Sequence, residues 1–175
     1  MKSFLQLLSF GLVAVSVSAV PVVEERQDVV YQLSVATKGD AKLDGQKLEI
    51  VNAVVGVFKG DHPPAKVYEI KNQQNPKLSE LHTSPVGIVD HVLGLKGDNG
   101  LYNLVDITNI HSTDNSKTHF STFKLKDGLV TQDLPGHWIA FPSGNGAWDV
   151  KWYDGNAIIT QNYVSVDVKY KKSTK

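Results

Sequence analysis

Short runs in which apolar and polar residues alternate dominate the sequence after residue 26. The stretch from Val164 to Tyr170 alternates in this way, as do the stretches Trp148 to Trp152 and Tyr31 to Val35. Because successive side chains of a strand point to opposite faces, this pattern indicates strands with one face towards a core. Helical periodicity is hard to find in the same region, so the sequence predicts an all-β chain.

Tight-turn dipeptides separate these strand-like runs at short intervals. They are Asp44-Gly45, Asn99-Gly100, Asp127-Gly128, Asn145-Gly146 and Asp154-Gly155. Both central residues of a type I′ turn need a positive φ, which Asp, Asn and Gly tolerate, so each dipeptide predicts a hairpin. The more continuously apolar stretches 53–58 and 86–95 predict central strands that are buried on both faces.

This pattern predicts about nine to twelve strands in one antiparallel domain. It is typical of a β-sandwich or a closed β-barrel, with the threefold β-trefoil as the alternative. The tripeptide Lys-Gly-Asp recurs at Lys38, Lys59 and Lys96, with unequal spacing. The preference of turns for Gly and Asp explains this recurrence better than an internal repeat does.

The first residues have the pattern of a secretory signal peptide. Lys2 precedes an apolar run from Phe4 to Val17, and the small residues Ser18 and Ala19 follow it. The run is shorter than the about 20 residues that a membrane-spanning helix needs, so cleavage after Ala19 is favoured over a membrane anchor. The sequence therefore predicts a signal peptide over residues 1–19 and secretion, with no membrane span in the mature chain.

Residues 20–26 end at Arg26 and are predicted to form a short pro-segment, with a plain flexible N-terminus as the alternative. The remaining residues 27–175 are predicted to form one β-rich domain. Its last residues, Lys171 to Lys175, are predicted to be a disordered basic tail.

Composition excludes several classes of function. The chain has no cysteine, so it has no disulfide, no thiolate metal site and no thiol catalysis. Its 18 Lys and Arg balance its 18 Asp and Glu, and Arg26 is the only arginine. A nucleic-acid partner is therefore not expected, because phosphate binding relies on a basic excess.

Motifs for metal binding or catalysis are missing from the sequence. The six histidines do not occur at the compact spacings that indicate a zinc site, so no metal and no cofactor are predicted. No Gly-x-Ser-x-Gly motif is present either. The prediction is a protein that is not an enzyme, although a triad assembled by the fold would leave no such motif.

Aromatic residues are concentrated in a predicted hairpin formed by residues 137–141 and 148–155. Trp148 and Trp152 share a face with Val150 and are predicted to belong to the core. Tyr153 falls on the opposite face, with Asp149 and Lys151. An exposed tyrosine beside polar groups suits contact with carbohydrate. The candidate ligand-binding residues are Asp149, Lys151, Tyr153 and Tyr163.

The C-terminal half resembles small secreted fungal cell-wall proteins. The stretches 123–131 and 136–140 form a strand, an Asp-Gly turn, a second strand and a Gly-x-x-x-Ala return, which is similar to the C-terminal domain of PIR-type cell-wall proteins. The run from Trp138 to Trp148, which contains Phe141-Pro142-Ser143, resembles the end of the phialide-type cell-wall protein family. Both families carry cysteines, whereas this chain has none. The resemblance implies a non-catalytic wall or surface protein, and it supplies no catalytic residues.

Together these observations predict a secreted, non-enzymatic protein that is extracellular or associated with the cell wall, with a structural or glycan-contacting role. Its expected partner is cell-wall polysaccharide or another extracellular molecule. Three alternatives stay open: an effector or antigen that binds a host protein, a barrel that carries a small ligand, and a secreted hydrolase.

Overall fold

The computed structural model describes residues 29–83, 91–108, 112 and 117–173, and this part of the chain contains strands and no helix. The predicted processing sites at Ala19 and Arg26 lie outside the described residues, as do residues 86–90 of one predicted strand. The thirteen strands are β1 (Val30–Ala36), β2 (Glu49–Val51), β3 (Val54–Val57), β4 (Lys66–Lys71), β5 (Ser79–Thr83), β6 (His91–Asp98), β7 (Leu101–Ile107), β8 (Phe123–Lys126), β9 (Leu129–Gln132), β10 (His137–Gly144), β11 (Ala147–Tyr153), β12 (Val164–Ser165) and β13 (Asp167–Lys172).

Six of these strands close into an antiparallel barrel. Neighbouring strands pair in the order β5, β4, β1, β13, β9 and β8, and β8 returns to β5 through the pair Ser79 and Phe123. Closure removes the open edges that a flat sheet of this size exposes. The predicted all-β class is confirmed, and of the predicted sandwich and closed barrel the structure has the closed barrel.

Three hairpins, β2–β3, β6–β7 and β10–β11, are inserted between barrel strands along the chain. Their second strands pair with one another, since β3 pairs with β7, β7 with β11 and β11 with β3. In a β-trefoil, three hairpins that pair with one another are inserted along the chain between the six strands of a barrel. The strand order found here is that arrangement. Strand β12 is an addition to it that pairs with β10. The three Lys-Gly-Asp triplets lie after β1, after β3 and within β6, so they do not mark equivalent positions of the threefold arrangement.

Each of the three hairpins turns at an asparagine with a positive φ. These residues are Asn52, Asn99 and Asn145, with φ of 49°, 51° and 49°. The predicted turns at Asn99-Gly100 and Asn145-Gly146 are confirmed, as is Asp127-Gly128 between β8 and β9. The first hairpin turns at Asn52-Ala53, where the sequence predicted the start of a strand. Alanine seldom adopts a positive φ, which is why the dipeptide gave no turn signal.

The hairpins predicted at Asp44-Gly45 and Asp154-Gly155 are wrong. Only the glycine of each dipeptide has a positive φ, and both lie in irregular segments. The aspartates instead accept backbone hydrogen bonds. Asp44 Oδ1 accepts from the Thr37 N–H at 2.9 Å, and Asp154 Oδ1 accepts from the Asn156 N–H at 2.8 Å.

The barrel interior is filled by apolar side chains. Those exposed by 2% or less include Leu33, Val35, Val67, Leu81, Phe123, Val130 and Val168. A filled interior leaves no ligand cavity among these residues, and it supplies the hydrophobic burial that a chain without disulfides needs.

The prediction of a disordered tail from Lys171 is wrong, because Lys171 and Lys172 belong to the last strand. β13 continues to Lys172, with Lys171 opposite Gln32 and Lys172 opposite Tyr31, and the Ser173 N–H donates to the Val30 carbonyl at 2.7 Å. The basic side chains are tolerated because both are exposed to solvent at the end of the strand, while the backbone completes the pairing with β1. Residues 174–175 lie outside the described residues.

Candidate functional site

The predicted aromatic hairpin is formed by β10 and β11. In its register His137 faces Tyr153, Trp138 faces Trp152 and Ile139 faces Lys151. The register shifts by one residue between Pro142 and Gly144, next to the turn. Directly opposed side chains on one face of an antiparallel pair lie in contact range, so this register decides which rings meet.

The inner face of the hairpin belongs to the core, as predicted. Trp138 and Trp152 are each 3% exposed and meet edge to face, with ring centroids 5.0 Å apart. Their indole N–H groups donate to the carbonyls of Val130 at 2.6 Å and Pro135 at 2.9 Å. Burial of both rings is stable because each polar N–H has a partner. Trp148 is half-buried against the same core.

The outer face carries a row of three rings, His137, Tyr153 and Tyr163, which we call the ring row. The Tyr153 ring lies 5.6 Å from that of His137 and 5.9 Å from that of Tyr163, measured between centroids. Tyr163 is 38% exposed, and His137 is exposed as well. The Tyr153 hydroxyl donates to the Ala157 carbonyl at 3.1 Å, which holds the segment between β11 and β12 against the hairpin.

The structure brings together two of the four predicted ligand-binding residues, Tyr153 and Tyr163. Lys151 places its ammonium group 4.6 Å from the centroid of the Phe141 ring, a cation–π contact. Asp149 lies four residues from Tyr153 on the same strand, about 13 Å at the usual rise of a strand. It therefore sits away from the tyrosine pair. His137 joins the ring row although the sequence did not mark it as a site residue.

A first polar cluster links Ser121, Glu80 and His82. The Ser121 hydroxyl donates to Glu80 Oε1 at 2.5 Å, and the His82 Nε2–H donates to Glu80 Oε2 at 3.1 Å. In a hydrolase triad the histidine lies between the nucleophile and the acid. Here the carboxylate lies between the serine and the histidine, so these bonds connect β5 with the segment before β8 and do not place the histidine on the hydroxyl.

A second polar cluster has the same order of groups. The Thr83 hydroxyl donates to Asp106 Oδ1 at 2.9 Å, and the His91 Nδ1–H donates to Asp106 Oδ2 at 2.7 Å. The three residues belong to β5, β7 and β6, so one partly buried carboxylate joins three strands.

Asp106→Asn is expected to lower the free energy of unfolding by about 1.5–3 kcal/mol, because a hydrogen bond to a charged group contributes about that much and the amide NH₂ cannot accept. Urea denaturation measures the change. The matched control is Asp133→Asn, since Asp133 pairs with Lys124 at 2.5 Å on the surface, where both side chains are more than 40% exposed. An exposed pair contributes about 0–1 kcal/mol. Equal losses in the two variants would contradict this account.

The described residues contain no group of three His, Asp or Glu side chains arranged to hold a metal ion. No helix in the described part has the length and apolar character needed to cross a bilayer. Comparison with family models, with curated proteins and with solved structures found no match to this chain.

Proposed function

We propose that this chain is a secreted, non-enzymatic protein that contacts glycans through the ring row. The observation that carries the proposal is the group of His137, Tyr153 and Tyr163 rings at the outer face of the β10–β11 hairpin, in which Tyr153 meets the other two edge to face and His137 and Tyr163 are exposed. Sugar rings have apolar C–H faces bordered by hydroxyl groups. Tyrosine matches them because it combines a large rigid apolar face with a polar tip and loses little conformational entropy on binding.

The proposed location is extracellular, at the cell wall. It rests on the signal-peptide pattern of residues 1–19 and on the resemblance of the C-terminal half to fungal wall proteins. A chain without cysteine has no disulfide with which to attach itself covalently. The route of retention that we propose is surface contact with a glycan.

The test is co-sedimentation of the protein with insoluble chitin, β-glucan and isolated cell wall. Tyr153→Ala removes the central ring, and we expect its affinity to fall about tenfold, which corresponds to about 1.4 kcal/mol. Tyr153→Phe is the matched control. It keeps the ring and loses only the hydrogen bond to Ala157, so retention should stay close to that of the parent. If the parent is not retained on any of these polysaccharides, the proposal is wrong.

A second candidate function is docking of an extracellular protein on the segment 154–163. Ile158 in this segment is 93% exposed, more than any other large apolar side chain of the described residues. Single exposed apolar residues are common on protein surfaces, so this candidate ranks second. Ile158→Ser distinguishes the two candidates. The variant should keep its retention on polysaccharide, because Ile158 is not part of the ring row, and it should lose binding to an extracellular protein that docks on this segment.

A further inference from the structure

A groove with a volume of about 590 Å³ lies beside the ring row. Its walls are the segment that follows β1 and the start of β13, and its lining residues include Thr37, Asp44, His137, Ser165, Asp167 and Lys169. This volume lies within the range of about 300–1,000 Å³ that is typical of small-molecule sites.

The groove and the ring row share His137. It lines the groove, and its ring meets that of Tyr153 at 5.6 Å. The groove and the rings are therefore adjacent at His137.

Hydrogen bonds hold the walls of the groove in place. The Thr37 hydroxyl donates to the Ser165 carbonyl at 2.9 Å and accepts from the Gly39 N–H at 3.0 Å. The Thr37 N–H donates to Asp44 Oδ1, and the Val166 N–H donates to the Trp138 carbonyl at 3.1 Å. Because both walls are fixed before a ligand arrives, binding loses little entropy in ordering them.

The charges in the groove offset one another. Lys38 and Lys169 contribute two ammonium groups, and Asp44 and Asp167 contribute two carboxylates. Within the described ranges none of the four side chains forms an ion pair, and of the four only Asp44 accepts a hydrogen bond from the backbone. The groove thus offers hydrogen-bond donors and acceptors without a net charge. A ligand rich in hydroxyl groups satisfies both kinds of group, whereas an anionic ligand finds no excess of positive charge to attract it.

We propose that this groove binds one unit of a neutral oligosaccharide whose neighbouring units contact the ring row. The inference rests on the proposed function and adds to it a ligand class and a second contact surface. One sugar unit lies against Asp167 and Lys169, and the chain continues over His137, Tyr153 and Tyr163. Acidic polysaccharide is disfavoured because the groove carries no excess of positive charge.

Titration calorimetry with short soluble fragments of β-glucan and of chitin tests this inference, with oligogalacturonate as the acidic probe. The parent is expected to bind one of the neutral fragments and not oligogalacturonate. A double variant, Asp167→Asn with Lys169→Gln, is expected to bind that fragment about tenfold more weakly. Both side chains are exposed, so the variant should keep the parent's melting temperature. A second variant, Asp167→Lys, gives the groove a positive charge and is expected to bind oligogalacturonate.

The outcomes separate the inference from the proposed function. If the double variant binds the neutral fragment as the parent does, while Tyr153→Ala still loses retention on insoluble polysaccharide, the groove proposal is overturned and the glycan surface stands. If the parent prefers oligogalacturonate, the assignment to neutral sugars is overturned. If neither soluble nor insoluble glycan binds the parent, the proposed function fails and this inference fails with it.

Discussion

Trp152→Ala is expected to lower the free energy of unfolding by about 3–5 kcal/mol, the usual cost of removing a buried aromatic side chain. The ring is 3% exposed and meets Trp138 edge to face at 5.0 Å. Truncation also leaves the Pro135 carbonyl without its indole donor. Domains of this kind have a total stability of about 5–15 kcal/mol, and this one has no disulfide to compensate, so the loss is a large fraction.

Urea denaturation followed by far-UV circular dichroism measures this loss. The matched control is Trp148→Ala, because Trp148 lies on the same strand and is only half-buried. We expect the control to lose clearly less stability than Trp152→Ala. A loss below about 1 kcal/mol for Trp152→Ala would contradict the buried position of this ring, because surface substitutions fall in that range.

Gly136→Ala is expected to have the second largest effect on stability. Gly136 has a φ of 129°, and an added Cβ lies 2.3 Å from the Tyr153 carbonyl oxygen and 2.8 Å from the Trp152 indole nitrogen. A positive φ costs a residue with a Cβ about 1–2 kcal/mol, and forcing atoms into a packed region adds about 1–3 kcal/mol.

Gly128→Ala is the control for Gly136→Ala, because it isolates the backbone contribution. Gly128 has a φ of 80° in the turn between β8 and β9, and no atom lies within 4 Å of an added Cβ. The free energy of unfolding of this variant should fall by only about 1–2 kcal/mol, which is the cost of the positive φ. Equal losses for the two variants, measured by urea denaturation, would show that Tyr153 and Trp152 do not crowd Gly136.

Local sequence signals predicted the strands and most of their turns. Asn99-Gly100, Asp127-Gly128 and Asn145-Gly146 are read correctly because Asn, Asp and Gly adopt a positive φ at little cost. Asn52-Ala53 forms the same turn with a residue that gives no such signal, since the pairing of β2 with β3 imposes the conformation. The Lys171–Lys172 end of β13 is ordered for a similar reason, because β1 pairs with it.

The ring row could be predicted only in part. Because side chains alternate along β11, Tyr153 and Trp152 point to opposite faces of the strand. This can be predicted without knowing the fold. The partner of Tyr153 depends on the register of the hairpin. A regular two-residue turn at Asn145-Gly146 sets Trp138 against Tyr153, whereas the shift between Pro142 and Gly144 moves His137 into that place. A bulge has no reliable sequence signal, so His137 was missed.

The groove could not be predicted because its two walls are far apart in the sequence. Thr37 and Ser165 meet only when β1 pairs with β13 and the barrel closes. Closure is a property of the whole strand order, and alternation along single strands does not determine it. For the same reason the sequence left the closed barrel, the sandwich and the β-trefoil undecided.

The most direct test of the glycan surface is fluorine NMR of the protein labelled with fluorotyrosine, titrated with the neutral fragment that binds. The chain has six tyrosines, and substitution of each in turn assigns their signals. Tyr31 and Tyr170 form an internal reference pair, with centroids 5.2 Å apart. Tyr31 lies in β1, six residues before Thr37, which lines the groove. Six residues of extended chain span about 20 Å.

The account predicts that the Tyr153 and Tyr163 signals shift as the fragment is added, while those of Tyr31 and Tyr170 stay in place. If the Tyr153 and Tyr163 signals do not move at a saturating concentration of the fragment, the glycan binds away from the ring row. That result would contradict the proposed glycan surface.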